Sequence, residues 1–528
     1  MSRMETSSDA PVIIVREQTR VTSGPEVQQK IIHACRALAS ILRGTLGPRG
    51  LDKGLYKSNG EFAITSDGAR IINDLLIKNP GAKLLVSLGK SQESVIGDGV
   101  TTTVLFAGAL LDEAGRLLRT GVHPLVIVDG YQAALSHALT RLDELEITVT
   151  GDDRDMLTQV ACTALSGRVA AAESEMFSTM IVDALDTVTQ QQGDSTRCEA
   201  EDVLFDKSEG GALSDSRLIR GVVWKKRIPL ARMAGERTDV RIAVLHADLK
   251  PADLRRDAEI EFSEVSAYEE FIAVQEQARE QLAECLLASG ADLFCCSGEV
   301  DRSLLHKLAT ADALVIADLD EQQLRQVAQA SGANVVEHIT DLGKDDLGRA
   351  ASVNAESRQE TDEVQDRITI DGCEGPLVTC SIAGTASVEE VIRGLYDALR
   401  ATSLTIREGA ALTGAGSAHM AASLSVIEAA EAVGDRTRLG IEAFSRALEV
   451  IPWTLASNAG ADALDALLEL RASQRKAGPA TGIRADGTIG DVSDVLEPAQ
   501  SIIHSLAAAT ETACCLLRCD QVISARGD

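Results

Sequence analysis

The stretch VIGDGVTTTVLFAGALL (Val95–Leu111) sets an Asp between two glycines, follows it with three threonines and closes in an apolar run. Gly97 and Gly99 lack the Cβ that forbids a sharp turn on either side of Asp98. Thr101, Thr102 and Thr103 then stand at the start of a predicted helix, where unpaired N–H groups and the helix dipole favour an anion. An acidic side chain beside an anion site needs a cation between them, and phosphate with Mg²⁺ satisfies all three features. A tight turn running into a threonine-rich helix start satisfies them too, and the stretch alone leaves both readings open.

A chain of 528 residues exceeds one ordinary core and suggests about three domains. Apolar residues at 45% supply those cores, whereas aromatics at 3% and a net charge of −29 disfavour base stacking and phosphate-backbone binding, so nucleic acid is not an expected partner. The 13 Lys against 38 Arg, together with that charge, predict a surface adapted to high salt, where short screening lengths suppress self-repulsion; an acidic protein of ordinary salt is the alternative. The start MSRMETSSDAPVIIV has no basic region ahead of a long apolar stretch, and no run reaches membrane-spanning length. A cytoplasmic location follows as the expectation. Cys295-Cys296 and Cys514-Cys515 with Cys519 lack paired C-x₂-C spacing and read as buried thiols of a reducing cytosol.

Outward from the opening stretch, helical patterning dominates. PEVQQKIIHACRALASILRGTLG (25–47) carries apolar residues at three-and-four spacing and ends in Gly-Pro. GEFAITSDGARII (60–72) reads as a strand, an Asp-Gly turn and renewed structure, and HPLVIVDGYQAALSHALTRLDELEI (123–147) as a long helix. Between about 215 and 365 the texture changes to short apolar strands, VRIAVLHAD, GADLFCCSG, ADALVIADLD and GANVVEHIT, with helical segments between the last of them. A charged helix, AYEEFIAVQEQAREQLAECLLASG (267–290), enters this module, and GRAASVNAESRQETDEVQD (348–366) reads as a surface loop or hairpin. Helices return from about 385. Helical, α/β, helical is the pattern of one domain inserted into another.

The stretches TLGPRGLDKGL, AITSDGARII, GDGVTT, GVHPLVIVDGY, ACTALSGR, LYDAL, GAG, AFSRALEVIPWTLASNAGAD and LLRCDQVISA occur in this order from about residue 11 to 525 and resemble the group II chaperonins, the archaeal thermosome and its eukaryotic cytosolic relatives. The resemblance implies a multidomain fold. A mainly α-helical equatorial ATP-binding domain would comprise 1–148 and 402–528, and an α+β intermediate hinge domain 149–214 and 366–401. An inserted α/β apical client-binding domain would span 215–365, with a helical lid protrusion at about 255–285. It further implies a homo- or hetero-oligomeric double ring, made with itself or with paralogues, that encloses unfolded client proteins and hydrolyses ATP.

On this chain the resemblance assigns Asp98 to Mg²⁺ and Leu46, Gly47, Pro48, Gly99, Val100, Thr101, Thr102, Arg168, Gly414, Ala415, Gly416 and Asp491 to the nucleotide, Asp491 as the ribose contact. Asp67 and Asp397 match the two carboxylates of hydrolysis, Asp397 being brought in by hinge closure. Phosphoryl transfer suits such a set, since it needs charge neutralisation and an oriented water more than covalent help. Client contacts are expected from apical apolar groups: Ile228, Leu230, Met233, Phe271 and Ile272. Several positions depart from the family. Val100 replaces a Thr and forfeits a hydroxyl, at an expected ~1.5–3 kcal/mol. Ala415 occupies a glycine position that needs φ > 0, His419 replaces a Glu, and Arg168 a Lys. WKKRIPLARMAG lacks the family's His-Pro-rich apical start. The carboxylates survive, so an active but slowed ATPase is expected. The alternatives are a scarcely hydrolysing structural paralogue in a mixed ring and a small-molecule phosphotransferase, for which no second substrate's acid/base group is evident.

Overall fold

The computed structural model describes residues 20–23, 25–56, 60, 62–192, 195–251, 265–360, 363–384 and 388–524. They divide into two compact units, one from within 1–150, 166–168 and 408–528, the other from 151–165 and 169–407. The segments expected to form the hinge and α/β domains group with the second unit apart from 149–150 and 166–168, and 402–407, expected with the helical ends of the chain, group there too.

The first unit is helical because its sequence offers helices with broad apolar faces. Pro25–Arg43 ends at Gly44, short of the expected stop at Gly47-Pro48. Val100–Arg119 buries side chains around almost its whole circumference, as a helix apolar on all sides must. Pro80–Val95, Pro124–Asp143, Ser417–Glu431, Thr437–Leu448 and Ala499–Leu517 pack with it into one core. There Phe444 meets Phe106 and Tyr131 edge-on at 5.4 and 5.9 Å. The buried Tyr131 hydroxyl donates to the Leu110 carbonyl at 2.6 Å. A three-stranded antiparallel sheet of Leu496–Pro498, Ala410–Thr413 and Ile147–Thr148 ties the two halves of the chain together. Two-stranded antiparallel pairs join Arg20–Ser23 to Gln521–Ser524 and Lys53–Tyr56 to Phe62–Thr65.

The described residues of the second unit hold two larger sheets and a two-stranded pair, Gln190–Gln192 with Ser195–Arg197. Val378–Gly384, buried throughout, runs between Val203–Glu209 and Arg217–Ile219, with helix Ala171–Val188 packed on it. The larger sheet has seven strands, in the order Leu314–Ile316, Leu293–Cys296, Gly235–Leu245, Gly348–Glu360, Glu363–Asp371 and Val222–Trp224, with Val335–Val336 beside Gly235–Leu245. Its parallel half alternates with helices Arg302–Thr310 and Glu321–Ser331, capped by Asp301 and by an Asp320–Gln323 capping box. Within the acidic stretch and beyond it, strands Gly348–Glu360 and Glu363–Asp371 pair antiparallel inside the sheet, and Val353, Ala355, Ile368 and Ile370 are buried, with the carboxylate-bearing Asp366 buried beside them.

Burial corrects part of the client expectation. Met233 is fully buried and Ile228 nearly so, both in the core of the large sheet, with Leu230 packed against that core. The Asp366 carboxylate accepts the Ile228 N–H at 2.6 Å. These residues anchor the chain to the sheet and present no apolar face. Of the arm expected at about 255–285, the part up to residue 264 lies outside the described residues. The helix Val265–Ser289 leaves Ile272 exposed and Phe271 half-buried. Cys295, Cys296 and Cys514 are buried thiols, whereas Cys515 is exposed and Cys519 half-buried, against the expectation for those two. Among the described residues no helix is long and apolar enough to cross a membrane.

Candidate nucleotide site

The turn at 97–99 is built as its glycines demand. Gly97 and Gly99 take φ of 85° and 82°, and Gly99 caps helix Val100–Arg119 without any side-chain acceptor for its first N–H groups. Those donors stay available to an anion. Thr101 and Thr102 are half-buried in that first turn. Val100 differs from the expectation. It is 5% exposed and belongs to the apolar core, so this position offers the site a backbone N–H, and the expected cost of a lost hydroxyl does not apply.

Asp98 places one carboxylate oxygen 2.6 Å from the N–H of Gly99. Burial raises its pKa, as does the charge of Asp67, while the Gly99 N–H and the Arg168 guanidinium oppose the rise. Asp67 caps helix Gly68–Asp74 by accepting the Ala69 N–H at 2.9 Å. Its neighbour Gly68 lies so close to Thr101 that a Cβ there would fall 2.3 Å from Thr101 Oγ1. On the opposite side Asn458 donates to the carbonyls of Arg43 and Leu46, at 3.0 and 2.8 Å, and so fixes the Leu46-Gly47-Pro48 loop. Gly167 lies against Pro48, which brings Arg168 to the same place.

Gly414 and Gly416 flank Ala415, whose φ of 52° is the strained conformation expected for it. At Gly414 an added Cβ would fall 2.4 Å from Glu497 Oε1, so any side chain there would displace that carboxylate. Glu497 was not singled out in the sequence. Its carboxylate accepts the Ala415 N–H, and its pKa is pushed up to about 7, first by burial and then by the charge of Asp98. The signal for it is topological: Leu412 pairs with Glu497 across two strands 85 residues apart (497 − 412). Asp491 is exposed on the hairpin of Thr481–Ile483 and Ile489–Asp491, and its carboxylate is engaged by the Ser493 N–H and hydroxyl. The hairpin touches the site through the Ile483 N–H, which donates to the Ala415 carbonyl at 3.0 Å. His419, in the first turn after Gly416, is buried with Nε2 unpaired, and burial lowers its pKa to about 4.

One place in the first unit therefore gathers residues 46–48, 67–68, 98–102, 167–168, 414–416 and 497. Asp397 belongs to the second unit, buried on helix Val388–Glu408. Among the described residues no group of three or more His, Cys, Asp or Glu side chains is arranged to hold a metal. The donor set instead fits a cation held by Asp98 together with ligand oxygens and water, the arrangement Mg²⁺ accepts most readily. The mutual repulsion of Asp98, Asp67 and Glu497 is what such a cation would relieve.

The family model of the TCP-1/cpn60 chaperonins matches residues 38–527. Similar proteins include the thermosome subunit beta of Archaeoglobus fulgidus, 33% identical over 99% of this chain and 96% of its own. A thermosome subunit of Pyrococcus abyssi is 34% identical over 98% and 94%. The thermosome subunit alpha of Thermoplasma acidophilum is 33% identical over 98% and 95%. With the family model covering 38–527 and these relatives aligned over nearly all of the chain, the chain belongs to the TCP-1/cpn60 chaperonin family.

Proposed function

We propose that this protein is an ATP-dependent chaperonin subunit that assembles into a double ring in the cytoplasm and encloses unfolded protein. The observation that carries the reading is the convergence of the 97–102 turn, the 414–416 turn, Asp67 and Arg168 in a chain that matches the family along nearly its whole length. When bound, Mg²⁺ supplies charge neutralisation to the phosphate oxygens. Asp98 is the residue to hold it, and the N–H groups of Val100, Thr101 and Thr102 cradle phosphate. Arg168 answers the phosphate charge, and the Leu46-Gly47-Pro48 loop and the Gly414–Gly416 turn grip the nucleotide. Asp67 orients the attacking water by accepting a hydrogen bond from it, and Asp397, on the second unit, is the second carboxylate that the family resemblance assigns to hydrolysis. The subunit partners are copies of itself or paralogues. The exposed apolar residues Tyr56, Phe62 and Ile64 on the paired strands Lys53–Tyr56 and Phe62–Thr65 support association.

Single-turnover hydrolysis of Mg-ATP in molar KCl, with negative-stain imaging of the same sample, tests this. Phosphate release that falls sharply in Asp397→Ala, from particles with ring symmetry, is expected. Monomers under every salt and nucleotide condition would overturn it. The strained Ala415 favours one second reading, a subunit of a mixed ring that binds nucleotide and scarcely hydrolyses it. Undetectable phosphate release unchanged by Asp397→Ala would select that reading.

A further inference from the structure

Behind the acidic turn, the side chain of Gln92 on helix Pro80–Val95 is completely buried and fully engaged. Its amide nitrogen donates to the Asp98 carbonyl at 2.8 Å and to the Ser501 carbonyl at 3.4 Å. Both partners only accept, so the amide orientation is fixed and Oε1 faces His504 Nδ1, 2.7 Å away. An amide oxygen cannot donate, and His504 therefore carries its proton on Nδ1. The backbone carbonyl of Gln92 meanwhile accepts from Ile96 and Gly97 at 2.9 and 3.2 Å. A second rung runs parallel: the Thr103 hydroxyl donates to the Gly99 carbonyl at 2.8 Å and meets Ser505 Oγ at 2.9 Å. At Gly99 a Cβ would fall 2.9 Å from Ser501 Oγ and 3.1 Å from Gln92 Nε2, so turn and helix are in direct contact. His504, Ser501 and Ser505 all lie on helix Ala499–Leu517, which starts two residues after Glu497.

We infer that Gln92 and His504 are positioning residues for Asp98: the imidazole orients the amide, and the amide holds the backbone from which the Asp98 carboxylate projects. The inference rests on the reading of Asp98 as the cation ligand of a nucleotide site and adds to it two residues that touch neither nucleotide nor metal. Losing the His504 donor leaves a buried amide oxygen unpaired and lets the turn relax. The penalty should fall on the cation and spare the phosphate cradle, which the helix N–H groups provide.

The test is calorimetric binding of ATP to the full chain in molar KCl, with excess Mg²⁺ and again with a chelator. His504→Leu should weaken Mg-ATP binding about tenfold and leave chelated ATP binding within about twofold. His504→Gln restores a donor to the same oxygen and should return the Mg-dependent affinity to within about twofold of the unaltered chain. His504→Ala, a smaller truncation of this half-buried ring, should match His504→Leu. Equal losses with and without Mg²⁺, unchanged affinity in both disruptive variants, or a Gln variant no better than Leu would each overturn the assignment. An unaltered chain that binds no ATP in either condition overturns the nucleotide reading itself, and the positioning role with it, so the two failures are distinguishable.

Discussion

Ala415 holds a left-handed backbone at φ 52° between two glycines, a conformation that costs an L side chain about 1 kcal/mol. Its N–H goes to Glu497 and its carbonyl to Ile483, so neighbours on both sides hold it there. Ala415→Gly should therefore leave the thermal midpoint unchanged or slightly raised. Because the same backbone is held without nucleotide, ATP binding measured by calorimetry should stay within about twofold; a larger change in either direction would show that the methyl acts on the site itself. His419 next to it makes a pH prediction. Burial lowers its pKa from 6.5 to about 4, so between these values the unfolded chain binds a proton that the folded one refuses. Stability present above pH 6.5 is lost as pH falls toward 4, on the order of 3 kcal/mol when complete. His419→Leu removes both this linkage and an unpaired Nε2. Urea unfolding across that range should be flatter with pH in the variant, and an unaltered slope would count against the buried neutral imidazole.

The hairpin of Lys53–Tyr56 and Phe62–Thr65 exposes Tyr56, Phe62 and Ile64, with relative exposures of 79%, 64% and 58%. Exposed apolar residues clustered on one small element mark an association surface more often than chance placement. Tyr56→Ser combined with Phe62→Ser should leave helix content and melting of the isolated chain nearly unchanged while lowering the assembled fraction at least tenfold in sedimentation; undiminished assembly would exclude the hairpin from the subunit contact. Helices such as Pro25–Arg43 and Pro124–Asp143 were legible in the sequence because local apolar spacing specifies them, and the turn at 97–99 because two glycines and an acid leave few alternatives. Pairings were not legible. Gln92 meets Ser501 across 409 residues and His504 across 412, and nothing local marks either end. Glu497 reads as an ordinary acid until its strand pairs with Ala410–Thr413. The side-chain direction of Val100 depends on where the helix begins, and one residue of phase separates a phosphate contact from a core position. Met233 and Ile228, expected among the apical client contacts, turn inward while Lys225, Arg227 and Arg232 around them are exposed, and an irregular segment of mixed polarity does not mark which side chains face the core.

For the molecule as a whole, the dominant electrostatic fact is a net charge of −29. Among the described residues close ion pairs exist, such as Arg367 with Asp206 at 2.6 Å in a largely buried setting, but most of those described have a solvent-exposed partner, and such pairs contribute little apiece. The unpaired excess of carboxylates therefore sets the sign of the response to salt. At low ionic strength, with a screening length of about 30 Å at 0.01 M, those carboxylates repel one another across each unit. At 1 M the length contracts to about 3 Å and only immediate neighbours interact. Compact folding concentrates the charge, so added salt should stabilise the folded chain more than the unfolded one. Raising KCl from about 0.05 M to about 2 M should lift the thermal midpoint by roughly 5–10 °C, a few kcal/mol at this size. KCl is the suitable salt because it screens without strongly salting out apolar groups. Most of the gain should arrive below about 1 M, where the screening length shortens fastest. A gain that instead grows in proportion to salt up to the highest concentration would point to apolar burial as its cause. A midpoint indifferent to KCl would show that the acidic surface is already balanced locally and would remove the case for a high-salt cytoplasm.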